Sequence, residues 1–178
     1  GALMAGGLTN CGFIAILRFT MITQAAGELA FVQGTLVGMG LLSMAFAAVF
    51  MVRQRDFKRM LAYSSVEHMG ILIFGIGIGG IAVLGSLLHL VNNSLSKGVL
   101  FLASGNIHRA FGSKQTDEVS GALERLPFSA SLFLAGFIAI TGSPPFGPFV
   151  SEFTILRGAF EAQRYAPATL YLLLLFMI

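Results

Sequence analysis

The run from Ile81 to Ala103 is apolar or small at almost every position, yet it carries His89, Asn93 and Lys97 at intervals of four. Four-residue spacing stacks side chains on one face of an α-helix, so the imidazole, the amide and the ammonium form a single polar stripe. At about 1.5 Å per residue the run is long enough to cross a bilayer. An ionisable stripe at membrane depth points first to proton or cation movement. The plainer reading of Lys97 is snorkelling, with the ammonium reaching the headgroups. That fits poorly, because Lys97 stands roughly 10 Å short of the point where Ser104, Gly105 and Asn106 end the span, and His89 and Asn93 lie deeper. An unpaired charge near the bilayer centre costs at least ~2.5–3.5 kcal/mol, so the stripe is expected to face a hydrated protein interior.

The rest of the chain supplies the membrane for that helix to cross. Hydrophobic residues make up 56% and charged residues 11% of the sequence, which excludes an ordinary soluble domain. Alternation of the kind a barrel strand requires is absent. The expected architecture is an all-α polytopic transmembrane helix bundle. Its spans are placed at Gly1–Leu17, Thr35–Val52, Ala62–Ile78 and Ile81–Ser104, in a discontinuous element from Phe128 to Ala162, and at Ala168–Ile178. The chain has no initiator Met and stops inside an apolar run, so it is expected to be a piece of a longer polypeptide.

The net charge of +3 does not point to nucleic acid, since the basic residues sit between apolar segments rather than along a polar face. Arg53, Arg55, Lys58, Arg59, Arg109, Lys114 and Arg125 fall on one side if the spans alternate, with Arg18, Arg157 and Arg164 on the other. The positive-inside bias makes the first side cytoplasmic. The single cysteine, Cys11, has no internal disulfide partner, and no Cys/His cluster has the spacing of a metal or iron–sulfur site. Neither a metal, a cofactor nor a catalytic group is therefore expected in this chain.

Gly142-Ser-Pro-Pro-Phe-Gly-Pro148 breaks a helix, because Pro144, Pro145 and Pro148 remove amide donors and clash with the preceding turn. Irregular backbone at membrane depth must be buried in protein or line a wet cavity. Glu152 lies a turn past the break, where it either caps the second half-helix or forms an ion site of the kind transporters build at broken helices. Glu67 and His68, a turn or so into their helix, are read either as a cytoplasmic proton intake or as a local ion pair with the basic loop. His89 titrates in the physiological range unless it is a hydrogen-bonded core histidine, and Asn93 can hold water between its neighbours. Asp56, Lys58 and Arg59 read as solvated loop charges on one account. Gly34-x3-Gly38 and the glycines from Gly75 to Gly80 suit close helix packing.

With these residues in view, the chain resembles the proton-conducting antiporter-like membrane subunits shared by complex I, Mrp-type cation/proton antiporters and membrane-bound NiFe hydrogenases. Asp56-Phe-Lys58-Arg59-Met-Leu-Ala-Tyr63-Ser-Ser is similar to the family's D-x-K-R-x-L-A-Y-S-S motif. The stretch HLVNNSLSKGVLFLASG from His89 resembles its helix with His and Lys four apart, and GSPPFGPFVSEFTIL from Gly142 resembles its broken helix. Glu67-His68 and Glu152 look most like the hydrogenase-4 / formate hydrogenlyase branch. The resemblance implies two inverted repeats, with residues 1–17 the last helix of the first and 34–178 most of the second. It implies that Lys97 is the central relay, Glu152 the terminal group of the exit, Lys58 a basic residue at the intake, and His89 a member of the relay stripe.

Two positions depart from the family pattern. Asn93 stands where many members have a second ionisable group, so water would carry the relay there. Ala5 stands where the family often has His or Lys, so a hydrated gap or another residue would link the half-channels. The implied partners are other membrane subunits, a peripheral redox arm holding the metals, and the lipid bilayer of a prokaryotic cytoplasmic membrane. Rival readings are a Na⁺/H⁺ antiporter subunit, a structural membrane scaffold without ion conduction, and a quinone-binding subunit.

Overall fold

A computed structural model describes residues 7–177. Among them the chain forms helices α1 (Thr9–Ala25), α2 (Leu29–Met51), α3 (Phe57–Ile78), α4 (Ile81–Phe111), α5 (Ala122–Arg125), α6 (Pro127–Ile140), α7 (Gly147–Glu161) and α8 (Tyr165–Met177). No strand occurs among the described residues; the one β-bridge joins Asp56 to Gln115. The expected first span falls partly outside the described residues, as does Ala5.

Several helices run past the boundaries that hydropathy suggests, because apolar runs mark the hydrophobic slab while backbone hydrogen bonding continues to the next cap or breaker. Helix α1 extends to Ala25 and α2 starts at Leu29, so Arg18 is helical rather than in a loop. Helix α3 starts at Phe57, not Ala62, because Asp56 caps it: its Oδ1 accepts from the backbone N of Lys58 at 2.8 Å and of Arg59 at 3.1 Å. Asp56 is thus a structural cap rather than a solvated loop charge, and Lys58 and Arg59 occupy the first turn of the helix. Glu67 and His68 lie nearly three turns in. Helix α4 continues through His108 and Arg109 until Gly112, at φ 73°, ends it in the left-handed conformation. Arg157 is likewise helical, within α7, and pairs with Glu161 at 2.7 Å.

The two basic connections are stitched together. Phe57 N donates to Lys114 O at 3.2 Å and Thr116 N to Arg55 O at 3.0 Å, while Arg55 pairs with Asp117 at 3.4 Å in an exposed setting.

The main core joins Val37 and Met44 of α2, Ile71 and Phe74 of α3, Ala82 of α4, Ile155 of α7 and Tyr171 of α8. Phe74 and Tyr171 stack with ring centres 4.6 Å apart and planes 2° apart. The outer surface is apolar as well, with Phe31, Leu42, Val49, Leu95, Leu102 and Phe128 exposed. Among the described residues Leu29–Met51 and Phe57–Ile78 are long and apolar enough to cross a bilayer, and Pro127–Ile140 and Tyr165–Met177 are shorter apolar helices.

Glycines set the closest helix approaches, though not all the expected ones. Gly34 and Gly38 face open space. Gly40 and Gly70 instead bring α2 against α3, since a Cβ on Gly40 would lie 2.8 Å from Gly70 O. Gly158 brings α7 against α4, where its Cβ would lie 2.7 Å from Ala82 N. That second approach positions the site.

Candidate functional site

Helices α3 and α4 run antiparallel through the turn at Gly79 and Gly80, and Ser86 Oγ donates to Leu72 O across them at 3.1 Å. One turn further from the bend, His68 Nδ1 meets His89 Nε2 at 2.9 Å. On its other edge His89 Nδ1 lies 2.9 Å from Ser151 Oγ of α7 and 4.0 Å from Glu152 Oε1. Ser151 Oγ in turn donates to Pro148 O at 2.7 Å.

A hydroxyl has one proton to give. With that proton on Pro148 O, Ser151 Oγ accepts from His89 Nδ1–H, which leaves Nε2 of a neutral His89 as the acceptor for His68 Nδ1–H. The chain of three side chains therefore has a direction, from His68 through His89 to Ser151, set by the bond of Ser151 to the backbone carbonyl of Pro148 at the start of α7. Reversing it requires every proton in the row to move one place.

The other groups of the stripe are as buried as these. His89, Asn93 and Lys97 on α4 are each no more than 1% exposed, Glu67 is 6% and Glu152 8% exposed. Asn93 has neither amide atom hydrogen-bonded among the described residues. Lys97 stands eight residues beyond His89, about 12 Å at the helical rise, with Asn93 midway. Because α3 and α4 are antiparallel, Lys97 lies toward the Phe57 end of α3, on the basic-loop side of the histidine pair. Glu67 is the carboxylate whose charge acts on Lys97. Lys58, half-buried in the first turn of α3, is nine residues from Glu67 and does not join the cluster.

Two cavities flank the cluster. One, of about 150 Å³, is lined by Ser64, Glu67, His68, Phe137 and Thr141. The other, of about 300 Å³, is lined by Thr141, Gly142, Ser143, Glu152 and Phe153. Thr141 borders both, so the α6–α7 break is the partition between the carboxylate on α3 and the carboxylate on α7. Each is large enough for several waters.

Glu152 is not a cap. Phe146 occupies the N-cap position of α7 without a side-chain bond, and Glu152 stands more than a turn further on, its carboxylate turned toward His89 and Gly142. Sequence spacing missed Ser151, whose signal was its place just before Glu152 in the turn after Pro148. It also missed Tyr171, fully buried, with a hydroxyl that has no hydrogen-bond partner among the described residues, and close enough to Glu152 and Glu67 to feel both charges.

Residues 1–177 match the family described as "NADH:quinone oxidoreductase/Mrp antiporter, TM". The chain is 39% identical over 170 residues to the hydrogenase-4 component F homolog of Methylacidiphilum infernorum, an alignment covering 95% of this chain and 36% of that protein. It is 31% identical over 173 residues to a Na(+)/H(+) antiporter subunit of Alkalihalophilus pseudofirmus, covering 96% of this chain and 35% of that one. Among solved structures, the membrane-bound sulfane sulfur reductase, an archaeal respiratory membrane complex, superposes with a TM-score of 0.91 at 24% identity, over 99% of this chain and 36% of that one. The chain spans about a third of the length of the curated relatives it matches.

Proposed function

The chain belongs to the NADH:quinone oxidoreductase/Mrp antiporter transmembrane family, and from that premise we propose that it is a proton-translocating membrane subunit of a complex I-like redox complex of the NiFe hydrogenase / formate hydrogenlyase type. The observation that carries the reading is the row His68–His89–Ser151, buried at the meeting of three helices and flanked by Glu67, Lys97 and Glu152. Every member but Ser151 is ionisable, and proton exchange along such a row needs only small movements of hydrogen. The likeness to a hydrogenase-4 component favours the branch.

In this reading Lys58 marks the cytoplasmic intake, Lys97 is the central relay, and water held by Asn93 connects it to His89. His68 and Glu67 face one cavity and Glu152 discharges into the other. Helices α6 and α7 act as the two halves of one discontinuous span, α1 closes the first inverted repeat, and residues 34–178 supply most of the second. Other membrane subunits and a peripheral redox arm complete the machine in a prokaryotic cytoplasmic membrane, and the redox metals lie in that arm.

The test is donor-driven proton uptake by vesicles holding the full-length complex, comparing the parent with Glu152→Gln. Loss of the pH change with intact assembly supports a path ending at Glu152; unaltered uptake removes the carboxylate from it. The likeness to a Na(+)/H(+) antiporter subunit favours a second reading, in which sodium is exchanged for protons. It predicts that an imposed sodium gradient moves protons in the same vesicles without electron donor.

A further inference from the structure

The histidine pair and Glu152 are joined by chemistry that proton transfer does not require. One ligand atom each from His68, His89 and Glu152 lies within 4.8 Å of the other two, and all three residues are buried. Two imidazoles and a carboxylate are the donor set that holds zinc-like divalent ions, at about 2.0–2.2 Å from each donor. Tetrahedral geometry at those lengths separates donors by roughly 3.3 Å. The two histidine nitrogens, at 2.9 Å, need only part slightly, while the carboxylate, 4.0 Å from Nδ1 on the other edge of the His89 ring, has to come round toward Nε2. None of this was legible in chain spacing, because the donors come from α3, α4 and α7.

The geometry points to a divalent transition-metal site, of zinc type, formed by His68, His89 and Glu152, at which the bound cation blocks the proton row. The structure supplies three requirements of such a site besides the donors. Ser151 holds Nδ1 of His89 and leaves Nε2 to the cation, the outer hydrogen bond that orients metal-bound histidines. Glu67 lies next to His68 on the 150 Å³ cavity and offsets Lys97, whose charge reaches both histidines, which leaves the carboxylate of Glu152 to face the ion. The 300 Å³ cavity at Gly142 reaches Glu152 directly and gives an ion a way in. With the cation seated, His68 Nδ1 and His89 Nε2 no longer share a proton, and the row is cut at its centre.

The blocking half of this inference rests on the proton path proposed above; the binding half does not. The experiment titrates Zn²⁺ onto the purified full-length complex against a chromophoric chelator, and measures donor-driven proton uptake in parallel. Parent protein is expected to bind one more Zn²⁺ than His68→Gln, His89→Gln or Glu152→Gln, and the uptake of the parent is expected to fall at least tenfold as that site fills. Zinc K-edge absorption of the parent alone should show two imidazole shells and one carboxylate, a readout that stands even if a variant fails to assemble. Equal Zn²⁺ binding by parent and assembled variants, or an edge spectrum without imidazole, overturns the site. Binding at the site with undiminished uptake leaves the metal site standing and overturns the proton path through the histidine pair.

Discussion

Gly142 stands directly against the carboxylate of Glu152: a Cβ built on it would collide with Oε2 and lie 3.4 Å from Oε1. Its φ of 65° is also one that side-chain-bearing residues adopt at a cost of about 1–2 kcal/mol. Gly142→Ala is therefore expected to strain the α6–α7 break and to push Glu152 from His89. A lower thermal midpoint of the complex together with reduced proton uptake is the expected pair of results, read by a melting assay and by vesicle acidification.

Asn93→Leu separates stability from function. The substitution removes two buried polar atoms that no described side chain satisfies, and an apolar residue of similar size should leave stability unchanged or raise it by about 1 kcal/mol. Proton uptake should fall, because leucine holds no water between His89 and Lys97. Thermal unfolding and uptake measured on the same preparation decide it; a variant equally active and equally stable would mean that the amide is an accident of the stripe.

Lys97→Ala should reduce donor-driven proton uptake at least tenfold while the complex still assembles. Alanine leaves the buried Glu67 carboxylate without the ammonium whose charge acts on it, which costs stability, so the complex is expected to assemble with a lowered thermal midpoint. Unchanged uptake would take Lys97 out of the mechanism.

Asp56→Ala removes the oxygen that accepts from two backbone amides at the start of α3. The loss should be about 1 kcal/mol, with the basic connections loosening where Phe57 and Thr116 bond across them. Faster amide exchange at Lys58 and Arg59, with proton uptake nearly unaltered, is the expected pattern.

Gly40→Val tests the packing of α2 on α3. The added methyls meet Gly70 O and Phe74 N, each within 2.8 Å of a Cβ there, and overpacking of this kind costs about 1–3 kcal/mol. Gly38→Val, facing open space, serves as the comparison and should leave the melting temperature of the complex in place.

What could be read directly from the chain was whatever depends on neighbours along it. The apolar runs announced helices, the prolines from Pro144 to Pro148 announced the break, and the four-residue spacing placed His89, Asn93 and Lys97 on one buried face, as the structure has them. Helix ends were less legible, since they follow caps such as Asp56 and Gly112 rather than the edge of an apolar run.

The meeting of His68 with His89, and of His89 with Ser151 and Glu152, arises only in three dimensions. Those contacts depend on the tight turn at Gly79 and Gly80 and on how closely Gly158 lets α7 approach α4, and thus on which face each helix turns to the next. Periodicity fixes what a helix can bury but not what it buries it against. Spacing and composition were enough for a membrane helix bundle with charge inside it. Which of the buried polar groups meet in a hydrogen bond follows from the packing of α3, α4 and α7, because a hydrogen bond of 2.9 Å answers to sub-ångström placement that no spacing along the chain encodes.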